Sequence, residues 1–148
     1  MLQISELRIG NYFLADGMPQ TLSAISVMQN NQFKSALIGF YVDNKLQHIP
    51  ADSEQLQPMP ITDDILEKCG FKFDNYFKRW QKNKKVFGSG VDMELDSDYT
   101  ALDFSGRPVL KEIQHVHQLQ NLYYALKRVE MMVDVRVNEK MKAYANNQ

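Results

Sequence analysis

His115-Val116-His117-Gln118-Leu119-Gln120-Asn121-Leu122-Tyr123-Tyr124-Ala125-Leu126-Lys127-Arg128 is the stretch that decides the fold class. Val116, Leu119, Leu122, Tyr123, Leu126 and, beyond it, Val129 recur at helical spacing, so the stretch predicts a helix beginning near Val116 with one apolar side. At roughly 1.5–3 kcal/mol gross per large apolar side chain buried, such a stripe contributes on the order of ten kcal/mol before entropy. Most of the chain upstream reads as short strands. The expectation is an α+β protein in which this helix is the lid of a sheet.

Working back from the helix, strands are expected at residues 71–73, 76–80, 86–87, 91–95, 99–104 and 109–113. Asp74-Asn75, Lys82-Asn83, Gly88-Ser89-Gly90, Ser97-Asp98 and Gly106-Arg107-Pro108 separate them, which makes an antiparallel meander the economical arrangement. Ahead of the meander, the Thr62 hydroxyl is placed to cap a short helix. Asp63 and Asp64 suit its positive end, Ile65 and Leu66 its buried side, and Gly70 its stop. Pro50, Pro58 and Pro60 deny helix and central strand to residues 51–60, which read as a linker.

The first half contains a Gly10-Asn11 turn before an aromatic and aliphatic strand, then strands at residues 20–28, 33–42 and 46–49. Asn30-Asn31 and Asp43-Asn44 mark the turns between them. Four short strands in so little chain predict a small, strongly curved antiparallel sheet of SH3-like barrel type. The expected division is residues 1–57 as the SH3-like β half and 58–148 as the α+β half, possible as one compact unit. After Val129 two patterns overlap: Met131, Val133, Val135 and Val137 alternate as in a strand, while Val129, Val133, Val137, Met141 and Tyr144 continue a helical stripe.

The 148 residues are 44% hydrophobic and 24% charged, the balance of a folded domain large enough to bury a core. Cys69 is the single cysteine, which excludes an intramolecular disulfide and a cysteine-rich zinc site. No signal-like start and no long apolar run is present, so no membrane role and a cytoplasmic location are expected. The net charge of −1 conceals two opposed blocks. Lys78, Arg79, Lys82, Lys84 and Lys85 are followed by Asp92, Glu94, Asp96, Asp98 and Asp103.

The basic run encloses Trp80, and phosphate-binding cations beside an aromatic face suit nucleic acid, giving Lys78, Arg79, Trp80, Lys82, Lys84 and Lys85 as a candidate surface. The competing reading pairs the blocks internally. A Gly88-Ser89-Gly90 hairpin turn would set Lys84 opposite Glu94 and Lys82 opposite Asp96. Asp92, Glu94, Asp96 and Asp98 imitate a calcium loop poorly, because Ser97 and Asp103 stand where an EF-hand needs glycine and glutamate. Alternation with Met93 and Leu95 is what a half-buried strand requires. His115 and His117 lack the further ligands a zinc site uses, and no metal, cofactor or small-molecule substrate is expected. No Ser-His-Asp spacing, Walker loop or dinucleotide fingerprint provides catalytic residues. On the helix, the side opposite the apolar stripe carries His117, Asn121, Tyr124 and Arg128, a composition that suits a partner-binding hot spot.

Three segments, Glu6-Leu7-Arg8-Ile9-Gly10-Asn11-Tyr12, residues 58–71 from Pro58-Met59-Pro60-Ile61-Thr62 through Lys68-Cys69-Gly70-Phe71, and Val116-His117-Gln118-Leu119-Gln120-Asn121-Leu122-Tyr123-Tyr124-Ala125-Leu126, occur in an order and spacing that resemble an uncharacterised family of Bacteroidetes-type genomes and their prophage or conjugative-element regions. The resemblance implies a mobile-element setting and transfers no catalytic residue. Where that family continues with a Thr-Gly-Glu-Glu type turn, Lys127-Arg128-Val129-Glu130 here would let the helix run on. The functional expectation is a non-enzymatic binding or adaptor protein with a protein partner or a second copy of itself. The alternative is a nucleic-acid-associated accessory protein.

Overall fold

The computed structural model describes residues 2–32, 34–83, 90–103, 105–110 and 113–133. They form two compact units that divide between Met59 and Pro60. No helix among the described residues is long and apolar enough to cross a membrane.

In the first unit, β1 (Tyr12–Ala15), β2 (Met18–Thr21), β3 (Ala24–Gln29), β4 (Lys34–Val42), β5 (Lys45–Pro50) and β6 (Leu56–Gln57) make two three-stranded sheets, ordered β2-β1-β6 and β3-β4-β5. Turn chemistry sets the registers. Asp16 and Gly17 join β1 to β2 with φ of 51° and 77°, and Asp43 and Asn44 join β4 to β5 with φ of 49° and 63°. Two positive φ values in a two-residue loop match the right-handed twist of the strands on either side.

The strand expected over residues 20–28 is broken at Leu22-Ser23. Leu22 N–H donates to Asn11 O at 2.8 Å, whereas Ser23 N–H donates to Gly39 O at 2.8 Å, so adjacent residues hold two different sheets. The Leu22 side chain turns inward there and joins Leu2, Phe13, Ala15, Ile38, Phe40 and Leu56 in one apolar cluster. Phe13 and Phe40 meet edge to face, with ring centroids 5.4 Å apart. The expected linker is also more than a linker, because Leu56 and Gln57 pair with Ala15 and Leu14. The described strands form two sheets and no closed barrel.

The second unit contains α1 (Asp63–Lys68), β7 (Phe71–Asp74), β8 (Arg79–Lys82), β9 (Met93–Asp96), β10 (Ala101–Leu102), β11 (Pro108–Leu110) and α2 (Val116–Lys127). The expected α1 boundaries hold: Thr62 Oγ1 accepts from Ile65 N–H at 3.2 Å, and Gly70 ends the turn at φ +87°. The five strands form an antiparallel meander in the order β11-β10-β9-β8-β7. Phe71, Lys82 and Met93 share one face with Phe73, Trp80, Leu95 and Ala101, while Lys72, Asp74, Arg79, Gln81, Glu94 and Asp96 occupy the other. Val86-Phe87 and the Gly88-Ser89-Gly90 turn lie outside the described residues, apart from Gly90.

The start of α2 agrees with expectation. Gln118 Oε1 accepts from Gln114 N–H at 3.0 Å and His115 N–H at 3.1 Å, and Pro60 bridges His115. Its end does not, because Arg128 takes a left-handed conformation at φ 59° and closes the helix at Lys127. The buried arc also differs from the apolar stripe. Val116, His117, Leu119, Gln120 and Tyr123 are buried, whereas Leu126 and Val129 are 61% and 60% exposed. With each residue turning the helix by about 100°, the buried arc is rotated by roughly a quarter turn from the stripe's centre toward His117 and Gln120. Residues 129–133 are neither helix nor strand, and the ambiguous pattern from residue 134 onward lies outside the described residues.

Candidate interaction surface

The sequence-derived candidates separate once burial is known. His117 is 1% exposed, with its ring stacked 5.7 Å from that of His115, so it belongs to the interior and not to the outward side of α2. Asn121 is partly buried, and Tyr124 and Arg128 reach the surface. Helical spacing grouped these four residues, but the rotation of the buried arc removes His117 from the group.

The basic run is divided as well. Trp80 is buried against Phe73, with ring centroids 5.2 Å apart, and offers no open face for a base. The Arg79 guanidinium pairs with Glu94 at 3.5 Å and lies against the loop at Gly106, where a β-carbon would come within 2.7 Å of it. Lys78 is exposed with φ 56°, and Lys84 and Lys85 lie outside the described residues. The expected cross-strand pairing is also replaced: Gln81 faces Glu94, Lys82 faces Met93 and Arg79 faces Asp96. That register differs from the one a turn at Gly88-Ser89-Gly90 would set, and residues 84–89 lie outside the described residues.

Lys82 sits on the apolar face of the sheet, and its geometry shows why. Its ammonium donates to the Cys69 carbonyl at 2.5 Å and lies 5.8 Å and 5.4 Å from the ring centroids of Phe71 and Tyr123. Burial lowers its pKa from the ordinary lysine value, against the opposing pull of Cys69 and Asp92. Burial likewise pushes the Cys69 thiol up to about 11. A β-carbon at Gly70 would stand 2.8 Å from the Lys82 nitrogen, so the glycine provides both the left-handed turn and the space. Asp92 completes the cluster. It accepts from Asn83 Nδ2 at 2.7 Å and from the Tyr123 hydroxyl at 3.3 Å, and Lys127 lies 3.4 Å away. The Asn83 hydrogen bond leads the effects that hold its carboxyl below the usual range. This cluster ties the end of α1, β8, the start of β9 and α2 together.

The acidic alternation lies on the expected strand, with Met93 and Leu95 buried between Asp92, Glu94 and Asp96. No group of three or more His, Cys, Asp or Glu side chains suited to holding a metal occurs among the described residues. A shallow trough of about 290 Å³ runs along Gly70, Lys72, Phe73, Asp74, Gln81 and Asn83. That is at the lower limit of small-molecule sites, which run from roughly 300 Å³.

Among the described residues, the most exposed large apolar side chain belongs to a segment expected to be strand. Residues 75–78 form the turn between β7 and β8, and Tyr76 and Phe77 project from it at 87% and 56% exposure. Asp74 Oδ1 accepts from the N–H groups of both residues at 2.9 Å, and the two rings meet edge to face at 4.8 Å. An aspartate that bonds the backbone two and three residues on organises a turn. Asp74-Asn75 reads as the turn in the sequence, but the strand preference of the aromatic residues puts Tyr76 and Phe77 into the expected following strand, whereas the turn spans residues 75–78. At the same end of the sheet, Asp96 and Asp98 belong to the turn between β9 and β10. There the Tyr99 hydroxyl donates to Asp63 at 2.5 Å, a bond that heads the causes raising its pKa to about 12. This end of the sheet thus presents two aromatic side chains with charges of both signs around them, Lys78 and Arg79 beside Asp96 and Asp98.

Compared with protein-family models, curated proteins and solved structures, the chain matches none.

Proposed function

We propose that this is a non-enzymatic binding protein that engages a protein partner through the Tyr76-Phe77 turn. The observation that carries this reading is a pair of large aromatic side chains exposed at a turn whose backbone is already held by Asp74. Aromatic residues supply contact area at low entropic cost, and an ordered turn further reduces the cost of binding. The exposed aromatic faces favour a partner segment bearing arginine or lysine, whose cations stack on them. The mobile-element setting belongs to the same proposal and rests on the three segments quoted above.

Selection of a displayed random-peptide library on the intact protein tests the reading. The expected outcome is a consensus of basic and apolar residues whose binding weakens at least tenfold in the Tyr76→Ala/Phe77→Ala variant. Tyr124→Ala, on α2, is expected to leave that binding intact. Peptides that bind the double variant as well as the parent, or that depend on Tyr124 instead, would defeat the assignment.

A further inference from the structure

The edge of the β3-β4-β5 sheet presents a strand built to pair with its own copy. Among the described residues β3 pairs with β4 alone, and none of them lies as a strand along its other edge, whose backbone donors and acceptors point away from β4. Val27 and Met28 on it are 53% and 62% exposed. The opposite edge of the same sheet, β5, contains Lys45, His48 and Pro50, the kinds of residue that discourage edge pairing. By contrast, β3 contains no ionisable residue, and neither does any position from Gly17 to Phe33.

The order of residues in β3 matters more than its neutrality. Two copies related by a twofold axis perpendicular to the sheet pair antiparallel and keep their faces, so each residue meets a partner on the same side of the pleat. Centred on Ser26, this operation sets Ile25 against Val27 of the other copy, Ala24 against Met28, and Ser26 against itself. Every apolar side chain then meets an apolar one, and serine meets serine. Ile25 and Val27 share the face on which Ile38 and Ala36 lie, so the paired copies would continue that face across the axis.

We infer that a second copy of this chain pairs antiparallel along β3, centred on Ser26, to give a continuous six-stranded sheet. The partner is another molecule of the same protein, and this contact is independent of the Tyr76-Phe77 turn. Two neutral strands meet without like-charge repulsion, whereas a charged partner would find no countercharge on this edge.

Cross-linking and sedimentation of the full chain test the inference. Directly opposite residues have β-carbons about 4.5–5.5 Å apart, so Ser26→Cys is expected to form a disulfide-linked dimer under mild oxidation. Its cross-linking should exceed that of Gln29→Cys by tenfold or more, while the buried Cys69 takes no part. Sedimentation of the parent is expected to show a concentration-dependent dimer, and Val27→Lys to shift it to monomer by placing ammonium groups near each other across the axis. Val27 is exposed, so the folded state tolerates that change, and a circular dichroism spectrum checks it. A parent that stays monomeric at millimolar concentration, equal cross-linking of Ser26→Cys and Gln29→Cys, or a dimer that survives Val27→Lys would each overturn the inference.

Discussion

The interiors of the two units are built on different terms. The cluster of Leu2, Phe13, Ala15, Leu22, Ile38, Phe40 and Leu56 is apolar throughout, and Asn11 is the buried polar residue of that unit among the described residues. Asn11 is satisfied locally, its Oδ1 accepting from Arg8 N–H at 2.7 Å. The second unit buries Gln81, Lys82, Thr100, His117 and Gln120 beside Trp80, Leu95 and Leu119. An apolar interior is stabilised by volume and contact, whereas an interior containing an ammonium group depends on each polar atom finding its partner.

The largest expected effect breaks the apolar side of the comparison. Phe13→Ala should destabilise the chain by about 3–5 kcal/mol, the cost of removing a buried aromatic ring and leaving a cavity. Urea denaturation reads it out, and a loss under about 1 kcal/mol would show that the cluster collapses to fill the space, removing the contrast.

Lys82 tests the other side. Lys82→Ala should cost about 2–3 kcal/mol through the cavity left between the Phe71 and Tyr123 rings, whereas Lys82→Met fills that space and should stay within about 1 kcal/mol of the parent at neutral pH. The pH dependence separates charge from volume. The folded pKa of Lys82 lies below its ordinary value of 10.5. Between those two values the unfolded chain holds a proton that the folded chain has released. The destabilisation from this group is therefore complete below the folded pKa and disappears as pH rises toward 10.5. Cys69 acts in the opposite sense. Its thiol is raised from 9.0 to about 11, so its contribution is present below 9.0 and lost as pH climbs through about 11. The stability of the parent relative to Lys82→Met should rise with pH in the alkaline range, and a flat difference would mean that Lys82 is not held away from water.

A smaller effect concerns the entry to the second unit. Thr62→Ala removes the hydroxyl that accepts from Ile65 N–H and should cost about 1 kcal/mol, with Thr62→Ser largely restoring it. Thermal unfolding of the two variants checks this, and equal losses would mean that the cap plays no part. The smallest effect should be Tyr76→Ala/Phe77→Ala, within about 0.5 kcal/mol, because both side chains project from the turn. A larger destabilisation would mark them as part of the second interior and would end their use as a contact surface.

The parts of the fold legible in the sequence were those governed by local chemistry. Thr62 and Gly70 bound α1, Asp43-Asn44 turns β4 into β5, and the alternation around Met93 and Leu95 gives β9. Asp16-Gly17 carries an equally local hairpin signal that the reading passed over in favour of Gly10-Asn11. The corner at Leu22-Ser23 was not legible, because a run rich in β-formers gives no local sign that its two ends bond to different sheets. The candidate surface was half legible. Tyr124 and Arg128 do reach solvent, but Trp80 and Lys82 are interior, and Tyr76 and Phe77, read as strand, are the residues that protrude.

By itself, the sequence determined the α+β class, the antiparallel meander, the caps of α1 and the start of α2 at Val116. Each of these follows from residues close together in the chain, through backbone hydrogen bonds, turn angles and periodicity. Only the tertiary structure decided which arc of α2 is buried, why Lys82 points inward, and that β8 and β9 pair with Arg79 facing Asp96. Those outcomes depend on partners distant in sequence. A helical stripe ranks its faces by hydrophobicity, but burial is set by the shape and polar groups of the surface beneath. There His117 and Gln120 are enclosed while Leu126 remains at the surface.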